Sequence, residues 1–211
     1  MAPLLGLLLV TFAVGKAAMG LNSVETPAMR DIAQERTADL NTLTDFGSSL
    51  SDTPYIVGFT ALFAIVFRLV FKRWLESVFL ILAVWSQSLV FLATTELVGR
   101  SRPPVEHLDP APPTSSWPSG HVSAAVCFYG AMTVILLMRT PRAWHPLWWT
   151  IGILAPAAVA LSRIYRGMHF FSDVLWGVLL GLVCLFVVRR AILVRKERHP
   201  RLTATAHAPS P

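Results

Sequence analysis

Apolar positions gather into six long runs, at 3–21, 55–71, 75–98, 121–138, 147–162 and 170–188, separated by short polar or proline-rich segments. Each run is near the about 17–25 residues that a helix needs to cross a bilayer. The pattern predicts an all-α fold, a polytopic transmembrane helix bundle of about six spans. The first run has no basic stretch ahead of its apolar core and carries Lys16 at its far end, which favours a retained span over a cleaved signal peptide. Two intervening segments read differently. Residues 22–53 set Ile32, Leu40, Leu43, Phe46 and Leu50 among acidic residues at roughly helical spacing, the pattern of an amphipathic surface helix or a packed connector. Residues 99–118 contain Pro103, Pro104, Pro110, Pro112, Pro113 and Pro118, which forbid a helix and favour a stiff connection that holds its two ends in fixed relation.

With 54% hydrophobic and 14% charged residues in 211, the chain is too apolar for an ordinary soluble domain. Residues 1–188 are expected to form one membrane domain and 189–211 a basic tail, disordered and attracted to anionic headgroups. The net charge of +6 does not point to nucleic acid, because the basic residues stand beside the apolar runs. Arg68, Lys72 and Arg73, then Arg139 and Arg142, then Arg189, Arg190, Arg195, Lys196, Arg198 and Arg201 share one side by parity, and the positive-inside rule makes that side and the tail cytoplasmic. Trp74, Trp144, Trp148 and Trp149 cluster at the same boundary, where indole rings settle at headgroup level. Cys127 and Cys184 both lie in apolar runs and read as small buried hydrophobes, not as a disulfide or a metal site.

The chemistry is concentrated at the opposite ends of the spans. Arg102 and Arg163 can each present a planar fork of N–H donors to two phosphate oxygens. Ser119 and Gly120 precede the fourth span, where a hydroxyl and free backbone N–H groups at a helix start suit an anion, the glycine permitting close approach. His169 and Asp173 are four residues apart and share a helical face if the sixth span starts near His169. The carboxylate would then take the proton on one ring nitrogen and leave the other free to attack phosphorus. His121 is the candidate general acid and base, for the leaving oxygen and then for water. The scheme requires no metal or other cofactor. Glu96 suggests a partner four residues on at Arg100. Arg166 is free to meet phosphate, an acid or water, Glu106, His107 and Asp109 read as solvated loop, and Trp117 as packing. His145, His199 and His207 carry no assigned function.

These segments resemble the type 2 phosphatidic acid phosphatases, lipid phosphatases that share a catalytic core with vanadium haloperoxidases. The third family motif is matched in full by Ser162, Arg163, His169 and Asp173, the second by Pro118, Ser119, Gly120 and His121, and the first at Arg102 and Pro103. Thr95 stands where the first motif has lysine. The motif core spans 95–173. The resemblance implies a phosphohistidine route, with His169 as nucleophile, His121 as general acid and base and Asp173 orienting His169. It implies phosphate binding by Arg102, Ser119, Gly120 and Arg163, with Thr95 and Arg100 as secondary candidates. The partners implied are the lipid bilayer and a membrane lipid phosphate: a polyprenyl mono- or diphosphate, phosphatidic acid or phosphatidylglycerol phosphate. Catalysis is expected at the extracytoplasmic face of a bacterial inner membrane. The rival readings are a lipid phosphotransferase using the same histidine and a non-catalytic lipid binder or transporter.

Overall fold

The computed structural model describes residues 2–194. All regular structure in them is helical: α1 (Ala2–Ala18), α2 (Asn22–Gln34), α3 (Ala38–Ser49), α4 (Thr53–Phe71), α5 (Leu75–Val98), α6 (Gly120–Arg139), α7 (His145–Tyr165) and α8 (Phe171–Arg189). Helices α1 and α4 to α8 carry the six segments long and apolar enough to cross a membrane, as the hydropathy pattern predicts. Their boundaries follow local chemistry. Pro54 and Pro146 sit in the first turns of α4 and α7, where a missing N–H costs nothing. Gly99 ends α5 at φ 72°, a left-handed conformation open to glycine.

Helix α6 is the axis of the bundle, packed against α5, α7 and α8, while α1 leans on α5 and α8, and α4 on α5 and α6. Half of the apolar window is buried in α5 and in α6, against 17% in α1. Phe79, Leu80, Ala83, Phe128, Ala131 and Ile135 form the largest apolar cluster. The outward faces of the same helices carry Leu69, Trp85, Leu89, Leu154, Leu175 and Phe186, exposed as lipid-facing side chains are. At the end away from the motifs, buried Glu76 is clasped by Arg73 (2.5 Å) and by Arg139, joining the start of α5 to the end of α6.

The connector at 22–53 is two helices, not one. The break falls at Glu35–Thr37, where Arg36 donates to the carbonyls of Tyr165 (2.9 Å) and Glu106 (2.9 Å) and Thr37 Oγ1 caps α3 by accepting from the Leu40 N–H. Helix α3 packs on α7, and its other face exposes Leu43 and Phe46. It is thus a packed connector with an apolar outer edge. The expected tail starts later than 189: α8 runs through Arg189 into a π-helical turn at Arg190–Val194, with Leu193 buried against the core. Arg195, Lys196, Arg198, His199, Arg201 and His207 lie outside the described residues.

Close approach of α8 to α6 depends on two missing side chains. A Cβ at Gly181 would lie 2.7 Å from Val126 Cβ and 2.9 Å from the Ser123 carbonyl oxygen, and one at Gly177 would lie 2.8 Å from the Ser119 carbonyl oxygen. Because backbone cannot yield as a side-chain tip does, Gly181→Ala is expected to cost about 1–3 kcal/mol through overpacking. Gly58→Ala, with nothing within 4 Å, is expected to be neutral or slightly stabilising. Melting temperatures of the two variants in one detergent check the contrast.

Candidate active site

The six spans alternate in direction, so the segments that carry the motifs meet at one end of the bundle. The proline-rich loop is anchored there as a clamp: the Arg100 N–H donates to Ser115 Oγ (3.0 Å), the Ser116 N–H to the Arg100 carbonyl (2.9 Å) and Ser116 Oγ to the Ser101 carbonyl (3.0 Å). Trp117, fully buried, donates from its indole to the Thr11 carbonyl and stacks on Trp176, which confirms a packing role.

His169 lies just before α8, not on it, because Phe170 is the N-cap residue. Its Nδ1 stands 2.7 Å from the Ser116 carbonyl and 3.9 Å from Asp173 Oδ2. The expected carboxylate–imidazole hydrogen bond is therefore replaced by one to a backbone carbonyl. A carbonyl only accepts, so Nδ1 carries the proton and Nε2 the lone pair. Burial, reinforced by the charges of Arg163, Arg102 and His121, holds the His169 pKa well below the usual imidazole range. The ring is neutral at neutral pH, the state that an attacking nitrogen needs.

Asp173 is fully buried and serves the backbone around His169. One oxygen accepts from the Phe170 N–H (2.9 Å) and the other from Arg100 Nη1 (2.5 Å). Arg100 is wholly committed to protein acceptors: Asp173, Ser172 Oγ (2.7 Å), Glu25 (2.7 Å) and Asn22 (2.8 Å). Its partners are these and not Glu96, which is exposed. The buried Thr95 hydroxyl donates to the Ser115 carbonyl (3.2 Å) and supports the loop.

Three other expected contacts keep something in reserve. Among the described residues, only five side-chain nitrogen or oxygen atoms are buried without a hydrogen-bond partner, and three of them are Arg102 Nε, Arg163 Nε and Ser119 Oγ. Arg102 is held by Nη1 on the Met168 carbonyl (2.8 Å), and Arg163 by Nη1 on Ser48 Oγ (2.8 Å) and Asp109 Oδ2 (2.7 Å). Ser119 occupies the N-cap of α6, yet its hydroxyl does not cap. Buried donors left unpaired cost about 1–3 kcal/mol each, so three of them on motif residues are groups able to complete their bonds with a ligand. A Cβ at Gly120 would lie 2.7 Å from the Phe91 ring, so the glycine also admits Phe91.

Some neighbours had no signal in the sequence. Asp109 is not solvated loop but bridges Arg163 and Arg166 (2.6 Å to the latter). Burial alone would raise its pKa, but the Arg166 hydrogen bond and the charges of Arg163 and Arg166 outweigh it and hold the carboxyl below its usual range. Asp52 Oδ1 lies 3.2 Å from His121 Nε2, and Ser51 Oγ donates to the His121 carbonyl (2.7 Å). Ser116 acts through its carbonyl, which no side-chain pattern can reveal. Among the described residues no group of three or more His, Cys, Asp or Glu side chains is arranged to hold a metal ion, and the cations of the site are arginines.

The chain is similar to known proteins in sequence and in fold. The model of the PAP2 superfamily matches residues 76–197. Phosphatidylglycerophosphatase B of Bacillus subtilis (strain 168) is 31% identical over 124 residues, 56% of this chain and 58% of that protein. Undecaprenyl-diphosphatase of Sulfolobus acidocaldarius is 41% identical over 78 residues, 37% of this chain and 34% of that protein. The matched segments thus span less than two thirds of either relative. Among solved structures, a transmembrane PAP2-type phosphatidylglycerolphosphate phosphatase from Bacillus subtilis superposes with a TM-score of 0.76 at 24% identity, covering 90% of this chain and 95% of that one. LpxE of Aquifex aeolicus superposes with a TM-score of 0.61 at 21% identity, covering 79% and 95%. With six membrane spans, the same fold and a family match over more than half of its length, this chain is an integral membrane protein of the PAP2 superfamily.

Proposed function

We propose that the protein is a metal-independent lipid phosphatase that hydrolyses a lipid phosphate or diphosphate through a phosphohistidine. The observation that carries this reading is the presence of three buried, unpartnered donors on the motif residues Arg102, Arg163 and Ser119, together with a His169 whose Nδ1 is held by the Ser116 carbonyl. Phosphate oxygens would accept from those donors, with the α6 N-terminus adding free backbone N–H groups. Nε2 of His169 attacks phosphorus as the bond to the leaving oxygen breaks, and His121 protonates that oxygen. Water then attacks the phosphohistidine and gives its proton to His121, the P–N electron pair returning to Nε2. Substrate classes supported by the relatives' names are phosphatidylglycerol phosphate and a polyprenyl diphosphate. Lipid enters from the bilayer that surrounds the exposed apolar faces, and the site faces the extracytoplasmic side.

Acid quench during turnover in excess chelator is expected to trap phosphate on histidine. In His169→Ala the trapped species and turnover are both expected to vanish, while lipid binding, held by the arginines, survives. Turnover by the His169→Ala variant at a substantial fraction of the normal rate would rule out the covalent route.

Thr95→Ala is expected to lower catalytic efficiency by no more than about tenfold, the worth of one ordinary hydrogen bond, because its hydroxyl supports the loop and not the anion. Arg102→Ala removes a charged donor and is expected to cost about a hundredfold or more. Assays of both variants on one lipid phosphate decide; equal losses would contradict the assignment of Arg102.

For the facing of the site, cysteines are placed at Ala111 in the exposed part of the proline-rich loop and at Ala143 in the exposed link between α6 and α7. The native Cys127 and Cys184 are buried and silent. In intact cells an impermeant thiol reagent is expected to label Cys at 111 and not at 143, and the reverse pattern would invert the compartment of the reaction.

A further inference from the structure

Asp52 belongs to none of the motifs, yet it is the side chain that meets Nε2 of His121. It occupies the N-cap of α4, a position where aspartate ordinarily accepts from the first N–H groups of the helix. Here its carboxylate makes no capping bond and stands 3.2 Å from His121 Nε2 instead. The approach is not that of a loose surface chain. Two residues earlier the Leu50 carbonyl accepts from the Tyr129 hydroxyl (3.0 Å), and Ser51 Oγ donates to the His121 carbonyl (2.7 Å), so both bonds fasten the link between α3 and α4 to α6. Burial raises the Asp52 pKa, reinforced by Asp109 and Asp45 and opposed by Arg163 and Arg166.

We propose that Asp52 is a positioning residue for His121, forming a carboxylate–imidazole pair that fixes which nitrogen exchanges protons with the substrate. This rests on the role of His121 as general acid and base. With Nε2–H held by Asp52, the proton passed to the leaving oxygen comes from Nδ1. After transfer Nε2–H stays on the carboxylate, and the Nδ1 lone pair faces the phosphohistidine, ready to take a proton from water. A ring without that partner could turn or settle in the other tautomer.

The consequence is a dependence on the leaving group. An alkoxide must be protonated as it departs, whereas a nitrophenolate need not be. Phosphohistidine formation is measured by rapid acid quench in single turnover, with a long-chain alkyl phosphate and with p-nitrophenyl phosphate. Asp52→Asn is expected to slow formation from the alkyl ester about tenfold or more, a fraction of what general acid catalysis supplies, and from the aryl ester by less than about threefold. Asp52→Ser, which keeps a capping oxygen at the start of α4 without the charge, is expected to give the same split. Asp52→Glu is expected to recover most of the alkyl rate. In a His121→Ala background Asp52→Asn is expected to add nothing, since a residue that acts through His121 has no route left. An unchanged alkyl rate, an equal loss on both esters, or losses that add to those of His121→Ala would overturn the pairing. A wild-type protein that forms no phosphohistidine from either ester would bring down the phosphatase reading and this inference with it, whereas a normal wild type with an indifferent Asp52→Asn would bring down the inference alone.

Discussion

The ion pair between Arg100 and Asp173 is the contact on which the site depends. Both side chains are completely buried, at 2.5 Å from each other. Breaking such a pair by removing one partner typically costs about 3–5 kcal/mol, because the other charge is left in an apolar surround. What the pair joins is more informative than its strength. Arg100 ties the end of α5 to Glu25 and Asn22 of α2 and to Ser172 and Asp173 at the start of α8. Asp173 in turn holds the Phe170 N–H, and its own carbonyl accepts from the Ser119 N–H. The residue between the helix cap and the proline loop is His169, so its ring is located by backbone on both sides.

Helix starts divide the labour at this end of the bundle. At α8 the carboxylate in the first turn satisfies the cap, a structural use. At α6 and α4 the side chains suited to capping, Ser119 and Asp52, leave that work undone and turn to other tasks. A capping bond is worth about 0.5–2 kcal/mol, and forgoing it at two helix starts within one site is the kind of local inconsistency that marks function.

Hydropathy made the six spans legible because bilayer thickness and helical rise fix their length and demand continuous apolarity. The motif residues were legible by type: arginine forks, a histidine before a helix and a serine at a helix start. Their partners were not. Asp173 lies four residues after His169, but α8 begins only at Phe171, so the two approach to 3.9 Å without a hydrogen bond and the Ser116 carbonyl takes it instead. Arg100 and Arg163 look alike in sequence, and only the third dimension shows that one faces four protein acceptors while the other keeps Nε unpartnered. Asp109 and Asp52 belong to a loop and a helix end whose positions are set by contacts between residues more than fifty apart, beyond any local pattern.

Arg100, Arg102, Arg163 and Arg166 illustrate how a charged site can be kept beneath a low-dielectric bundle. Arg100 is balanced by Asp173 and Glu25, and Arg166 by Asp109 and Asp45, so these two contribute rigidity and little free potential. Arg163 shares Asp109 with Arg166, and Arg102 has only a carbonyl on Nη1. Arg163 and Arg102 therefore add positive potential at His169 and reinforce the lowering of its imidazole pKa that burial chiefly causes. An arriving phosphate would reverse that balance, neutralising the arginines and making the ring more basic at the moment it is to attack. In the proposed reaction the field that reinforces the unprotonated state of His169 would also draw the anion whose charge raises its basicity.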